Sequence, residues 1–163
     1  MSIQKLILSY ARYNHWANEK LSRWLMSLDR NLLYKQTPSS FASIELTVQH
    51  IQQSQQFWLG IIANKGLALP DGTDAAAPGF DLLLMGSKLM LDTFGAYTEQ
   101  ELLEKIASTD MIQSRYEFIL HTINHNSYHR GQIVTMCRHL GVEDNIPAMD
   151  YEVFLWSLQG AQT

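Results

Sequence analysis

Three histidines recur at four-residue steps in one stretch of the chain, His121, His125 and His129, and a fourth, His50, stands in an apolar-periodic stretch far upstream. Side chains four residues apart on a helix share a face, with Cβ atoms about 5 to 6 Å apart. On a helix, His125 and His129 reach one ion with ring nitrogens at about 2.0 to 2.1 Å, and a third imidazole from a facing helix completes a tripod. Three neutral imidazoles with an open fourth position make a catalytic zinc site rather than a closed structural one. Nickel or another late first-row divalent ion accepts the same donors. His121 and His125 form a competing pair on the same stripe; otherwise His121, one turn nearer the helix start, is placed to hydrogen-bond a ligand or the substrate. Spacing alone is a weak signal, because a single histidine on a helix is more often a surface or satisfied core residue. His15 and His139 read as structural, the latter lying in a last helical turn where a cation suits the C-terminal end of the dipole.

The elements that must position these rings follow from apolar periodicity. Ile3, Leu6, Ile7, Tyr10, Tyr13, Ala17, Leu21, Trp24, Leu25 and Leu28 recur at three- and four-residue steps and predict a long first helix. After the turn-and-cap run Thr37-Pro38-Ser39-Ser40, Ser43 opens a second helix that continues to about Ala63 and carries His50. Its inward seam is expected through Leu46 or Thr47, His50, Ser54, Phe57 or Trp58, and Ile61. Asn64 to Gly79 holds too many glycines and prolines for regular structure and reads as the longest loop. A third helix is predicted from Phe80 to about Tyr97, and a last long one from about Gln113 to Leu140, closed by Gly141 as a C-cap glycine closes a helix. Its seam runs Phe118, Thr122, His125, His129, Ile133, Met136 and Leu140. A short tail helix, Met149 to Leu158, completes the chain. The pattern predicts an all-α protein, an up-and-down four-helix bundle over residues 1–163 as one domain, with the long loop leaving room for a crossover.

Composition narrows the function classes. The 163 residues carry a formal net charge of -4 and no Lys/Arg cluster, which gives no footprint for a phosphate backbone and makes nucleic acid a poor partner. No run of about 18 apolar residues occurs, so no membrane span is expected. The N-terminus lacks the apolar core of a signal peptide, from which a cytoplasmic location is expected. Cys137, the only cysteine, sits among apolar residues and reads as a small core side chain. No histidine has a glutamate three residues before it, against a di-iron bundle, and there is no Cys-x-x-Cys-His haem motif and no Gly-rich phosphate loop. The aromatic residues Trp16, Trp24, Trp58, Trp156, Phe57 and Tyr128 fall mostly at core spacing, with Tyr128, beside a candidate ligand, the one placed to meet a substrate.

The segment His121-Thr122-Ile123-Asn124-His125-Asn126-Ser127-Tyr128-His129-Arg130-Gly131-Gln132-Ile133 resembles the DinB-like family of bacterial proteins, the DinB/YfiT-like metalloenzymes. Val48-Gln49-His50-Ile51, Tyr13-Asn14-His15-Trp16-Ala17-Asn18, Gly141, Pro147 and Asp150-Tyr151 follow the same pattern, so the resemblance covers nearly the whole chain. It implies a four-helix bundle, commonly a homodimer, with a metal held at His50, His125 and His129. It also implies a thiol-dependent transferase or isomerase, in which a low-molecular-weight thiol such as bacillithiol, mycothiol or glutathione binds the metal and becomes the nucleophile toward a small-molecule substrate. Metal-bound water in the same place implies a hydrolase instead, and a non-catalytic, stress-associated metal-binding bundle is the third reading. The chain departs from many members at two positions, with Asn126 and Gln55 where they carry glutamates. An amide there orients a ligand but cannot act as a general base. Arg130 and Gln132 read as packing and hydrogen-bonding residues.

Overall fold

The computed structural model of the protein describes residues 2–63, 79–108 and 110–160. The loop expected at Asn64 to Gly79 falls outside these apart from Gly79. Six α-helices dominate: α1 (Ile3–Met26), α2 (Ile44–Ala63), α3 (Phe80–Ala96), α4 (Glu99–Leu103), α5 (Arg115–His139) and α6 (Tyr151–Gly160). Local chemistry sets their ends. The Ser2 hydroxyl accepts from Lys5 N at 3.3 Å, and the Ser43 hydroxyl from Leu46 N at 3.2 Å. After α5, Gly141 adopts φ 83°, while Gly141 N and Val142 N each donate at 3.0 Å to Arg138 O and Cys137 O. Those two bonds form a Schellman closure, which only glycine enters without strain.

The expected four long helices are present, but a short antiparallel hairpin, β1 (Lys105–Ser108) with β2 (Met111–Ser114), occupies residues assigned from periodicity to a connection and to the start of the last helix. Ile106 pairs with Gln113 and Ala107 with Ile112 across it. Ser114 N bonds the Glu117 carboxylate at 2.8 Å, which holds the start of α5 directly behind the hairpin.

The packing order corrects the simple up-and-down arrangement. α1 packs mainly on α3 and α5, and α2 packs on the same two. α1 and α2 therefore stand on one diagonal and α3 and α5 on the other. The α1–α2 connection is long enough to cross the end of the bundle and carries a 3-10 turn, Arg30–Tyr34, along the way. The functional consequence is that α2 and α5 are direct neighbours. Their buried faces are also rotated from expectation. α2 buries Ile44, Thr47, Val48, Ile51, Gln55, Leu59 and Ile62, while Leu46 and Phe57 are exposed. α5 buries Asn126, Arg130 and Cys137 besides the expected Phe118, Thr122, His129, Ile133 and Met136. Each helix is wedged between two neighbours, which centres the core face one position away and leaves His50, Ser54 and His125 half-buried on the α2–α5 seam. Trp156 and Tyr128 are exposed, whereas core spacing had placed most aromatics inside.

The core divides into two apolar halves. One gathers Ile7, Ala11, Leu59, Met90, Phe94, Phe118 and Phe154, and the other Leu21, Leu25, Ile44, Ile51, Leu83, Ile133 and Met136. At the level between them each long helix contributes buried polar side chains: Asn14 and Asn18 from α1, Gln55 from α2, Ser87 from α3, Asn126, His129 and Arg130 from α5. No helix among the described residues is long and apolar enough to cross a membrane.

Candidate metal centre

Because α2 and α5 are neighbours, His50 from the first meets His125 and His129 from the second. His125 Nε2 lies 3.3 Å from His50 Nε2 and 3.1 Å from His129 Nε2, so three ring nitrogens converge on one point. Two ligands at 2.0 to 2.1 Å from a tetrahedral ion lie about 3.3 Å apart, so the spacing fits one first-row ion with little movement. The far sides of two rings are engaged. His129 Nδ1 lies 2.8 Å from Gln132 Oε1, and since an amide oxygen only accepts, Nδ1 carries the proton and Nε2 of the neutral ring presents a lone pair. Gln132 is fixed in turn by donating from Nε2 to Ser40 Oγ at 2.9 Å. His125 Nδ1 faces Ser54 Oγ at 3.2 Å. Phe41, just before α2, stacks on the His50 ring at 4.3 Å between centroids and lies 5.7 Å from that of His129.

The electrostatics favour neutral rings. Burial, followed by the neighbouring His129, His50 and His121, pushes the His125 pKa down to about 4. Burial likewise lowers His50, with His129 adding to it, and lowers His129 against the opposing Gln132 hydrogen bond. No carboxylate among the described residues contributes to any of the three. Neutral imidazole is the form that binds metal.

The remaining sequence candidates fall in different places. His121 is exposed, its ring against Trp58 at 4.7 Å and 6.0 Å from that of His125, so it borders the cluster without joining it. Tyr128 is exposed, with its ring edge-on to His129 at 5.1 Å. Asn126 points away from the cluster, donating from Nδ2 to Asn14 Oδ1 at 3.2 Å inside the α1–α5 contact. Gln55 faces α3, where a Cβ on Gly86 would stand 2.6 Å from its Oε1. Neither amide hydrogen-bonds a histidine of the cluster. His15 Nδ1 meets Ser87 Oγ at 2.9 Å between α1 and α3. Cys137 is fully buried, and burial raises its thiol pKa to about 11, so it is no nucleophile at neutral pH. Sequence reasoning missed Phe41 and the part played by Ser40 and Gln132 behind His129. The place of Gln132 three residues after His129 on one helix was the available signal; for Phe41 there was none.

The DinB family model matches residues 1–162. The protein DinB of Bacillus subtilis (strain 168) is 27% identical over 157 residues, covering 88% of this chain and 90% of that one. Among solved structures, a DinB-like protein of Bacillus subtilis aligns with TM-score 0.61 at 17% identity, covering 91% of this chain and 97% of its own. A DinB family member of Shewanella denitrificans aligns with TM-score 0.53 at 14% identity, covering 92% and 88%. The structural likenesses establish a shared helical fold, and the match along the sequence establishes the lineage: the chain belongs to the DinB family.

Proposed function

We propose that His50, His125 and His129 hold one divalent ion, zinc or nickel, and that the protein uses the open side of this site to activate a low-molecular-weight thiol for transfer to a small electrophile. The observation that carries the reading is the convergence of three ring nitrogens at 3.1 and 3.3 Å with hydrogen-bond partners placed behind two of the rings. In their neutral forms the three rings can each turn a nitrogen lone pair toward a cation at that point. When bound, such an ion lowers the pKa of a coordinated thiol or water by several units.

The surroundings favour thiol over water as nucleophile. A hydrolase of this type uses a carboxylate base beside the metal to take the proton from water. Among the described residues, no carboxylate reaches the three histidines, and the positions that carry glutamate in many relatives are Asn126, turned toward α1, and Gln55, turned toward α3. A thiol, whose free pKa of about 8.5 is far below that of water, ionises without such a base. Phe41 keeps solvent from the His50 side, Gln132 and Ser54 fix ring orientation, and the exposed His121 and Tyr128 border the open approach for the electrophile.

Metal analysis of untagged protein, beside His50→Ala and His125→Ala, tests the site: the wild type is expected to hold about one ion per chain and the variants to lose it. Unchanged metal content in both variants refutes the tripod. Titrating glutathione, bacillithiol and mycothiol into cobalt-loaded protein tests the nucleophile. A sulfur-to-cobalt charge-transfer band with one of them is expected, and its absence with all three refutes the thiol reading and returns the site to water.

A further inference from the structure

Arg130, on the side of α5 facing α1, is 2% exposed and hydrogen-bonded only to neutral oxygens. Its Nη1 donates to Asn14 Oδ1 and to Asn18 Oδ1, both at 2.9 Å, and its Nη2 to Ser127 Oγ at 2.8 Å, with the Tyr13 ring 5.4 Å from Cζ. The other buried arginine, Arg115, meets the Glu104 carboxylate at 2.9 Å. Among the described residues Arg130 has no such partner; the ion pairs are all made elsewhere. A guanidinium taken out of water without a counter-charge is destabilising by several kcal/mol, and an anion that reaches it offsets part of that cost.

Arg130 also lines a cleft of about 530 Å³ between α5, Tyr13 and the segment leading into α6. That volume lies within the range of small-molecule sites, about 300 to 1,000 Å³, and exceeds what a bare inorganic ion fills. Val134, Ile146, Pro147 and Met149 give the cleft apolar walls. Arg138 and Asp150 are the exposed charged groups at its rim, so with Arg130 the cleft carries one net positive charge. No residue of the histidine cluster lines it.

We propose that this cleft binds a small organic molecule through a single carboxylate, which meets Arg130 and Arg138 while its apolar body lies along Ile146, Pro147 and Met149. One negative charge matches the net charge of the walls, and a planar carboxylate matches the donor fork of the exposed Arg138 guanidinium, with the buried Arg130 charge behind it. The site is separate from the three histidines and does not depend on what they bind.

Benzoate, its neutral isostere benzamide, and inorganic phosphate serve as probes, added to the full-length protein at constant ionic strength while the backbone amides of Gly131, Val134 and Ala148 are followed by NMR. Saturable shifts with benzoate alone are expected, the same with and without zinc. Asp150→Asn is expected to tighten binding about three- to tenfold and Arg138→Gln to weaken it by a similar factor, each changing one rim charge. Arg130→Gln is expected to abolish the shifts. If that variant does not fold, the opposite signs of the two rim variants decide the matter. No saturable shift with benzoate, equal shifts with benzamide, binding of phosphate but not benzoate, or shifts that require zinc would each overturn the proposal.

Discussion

Replacing Gln132 with alanine removes the acceptor of His129 Nδ1 without touching a ring nitrogen that faces the metal position. His129 is 5% exposed, so water has little access to take the place of the amide oxygen. An unsatisfied buried donor is destabilising by about 1–3 kcal/mol, and loss of the group that orients a histidine ligand lowers metal affinity about 10- to 100-fold, or about 1.4–2.7 kcal/mol. The first figure falls on the folding stability of the metal-free chain, and by the second the zinc affinity of Gln132→Ala should fall by one to two orders of magnitude. Ser54→Ala makes the matched perturbation at His125, which is half-buried and open to water, so its loss should be smaller, about three- to tenfold. Competition with a chromophoric zinc chelator at fixed pH measures both, and urea denaturation of the metal-free variants checks that the bundle stays intact. Equal losses in the two variants, or a greater one for Ser54→Ala, would show that burial does not set the strength of these outer contacts.

Two further outcomes follow from buried polar groups. His125 titrates at about 4 in the folded protein and near 6.5 when unfolded, so the unfolded chain takes up its proton first as the pH drops. The metal-free protein keeps this contribution above pH 6.5 and loses it as the pH falls to about 4; the full difference of about 3 kcal/mol reduces to about 1–2 kcal/mol for a half-exposed ring. Urea titrations at neutral and acidic pH should show a smaller loss for His125→Asn than for the wild type, and an equal loss would refute the assignment. Gln55 is 1% exposed and neither of its amide atoms has a partner among the described residues, so Gln55→Met should stabilise the protein by about 1–2 kcal/mol in urea denaturation. A decrease would mean that the amide is satisfied in solution.

The helices were legible because their periodic apolar residues and two of their caps, Ser43 and Gly141, act locally. His125 and His129 were legible for the same reason, being neighbours on one helix. What spacing alone left open was the partner of His50, since which helices touch depends on how a long connection crosses the bundle end. The β1–β2 hairpin escaped because four-residue strands around Ser108 to Asp110 carry too little alternation to compete with the helical pattern beside them. The family resemblance singled out Asn126 and Gln55 beside the candidate ligands, but one and five residues past a candidate ligand turn a side chain about 100° and 140° away around a helix. That rotation carries both toward other helices.

The buried polar level between the two apolar halves also acts as a gauge of helix position. Cores built only of apolar side chains lose uniqueness of packing before they lose stability, so an apolar bundle by itself specifies helix alignment weakly. Here a one-turn slip of α5 against α1, about 5.4 Å, would leave only one of Asn14 and Asn18 opposite the Arg130 guanidinium and set its other side against Ala11 or Leu21. Only the observed alignment lets both asparagines accept from Arg130. It is also the alignment that fixes how far along the bundle His125 and His129 sit, so a charge on one side of α5 sets the height of the rings on the other.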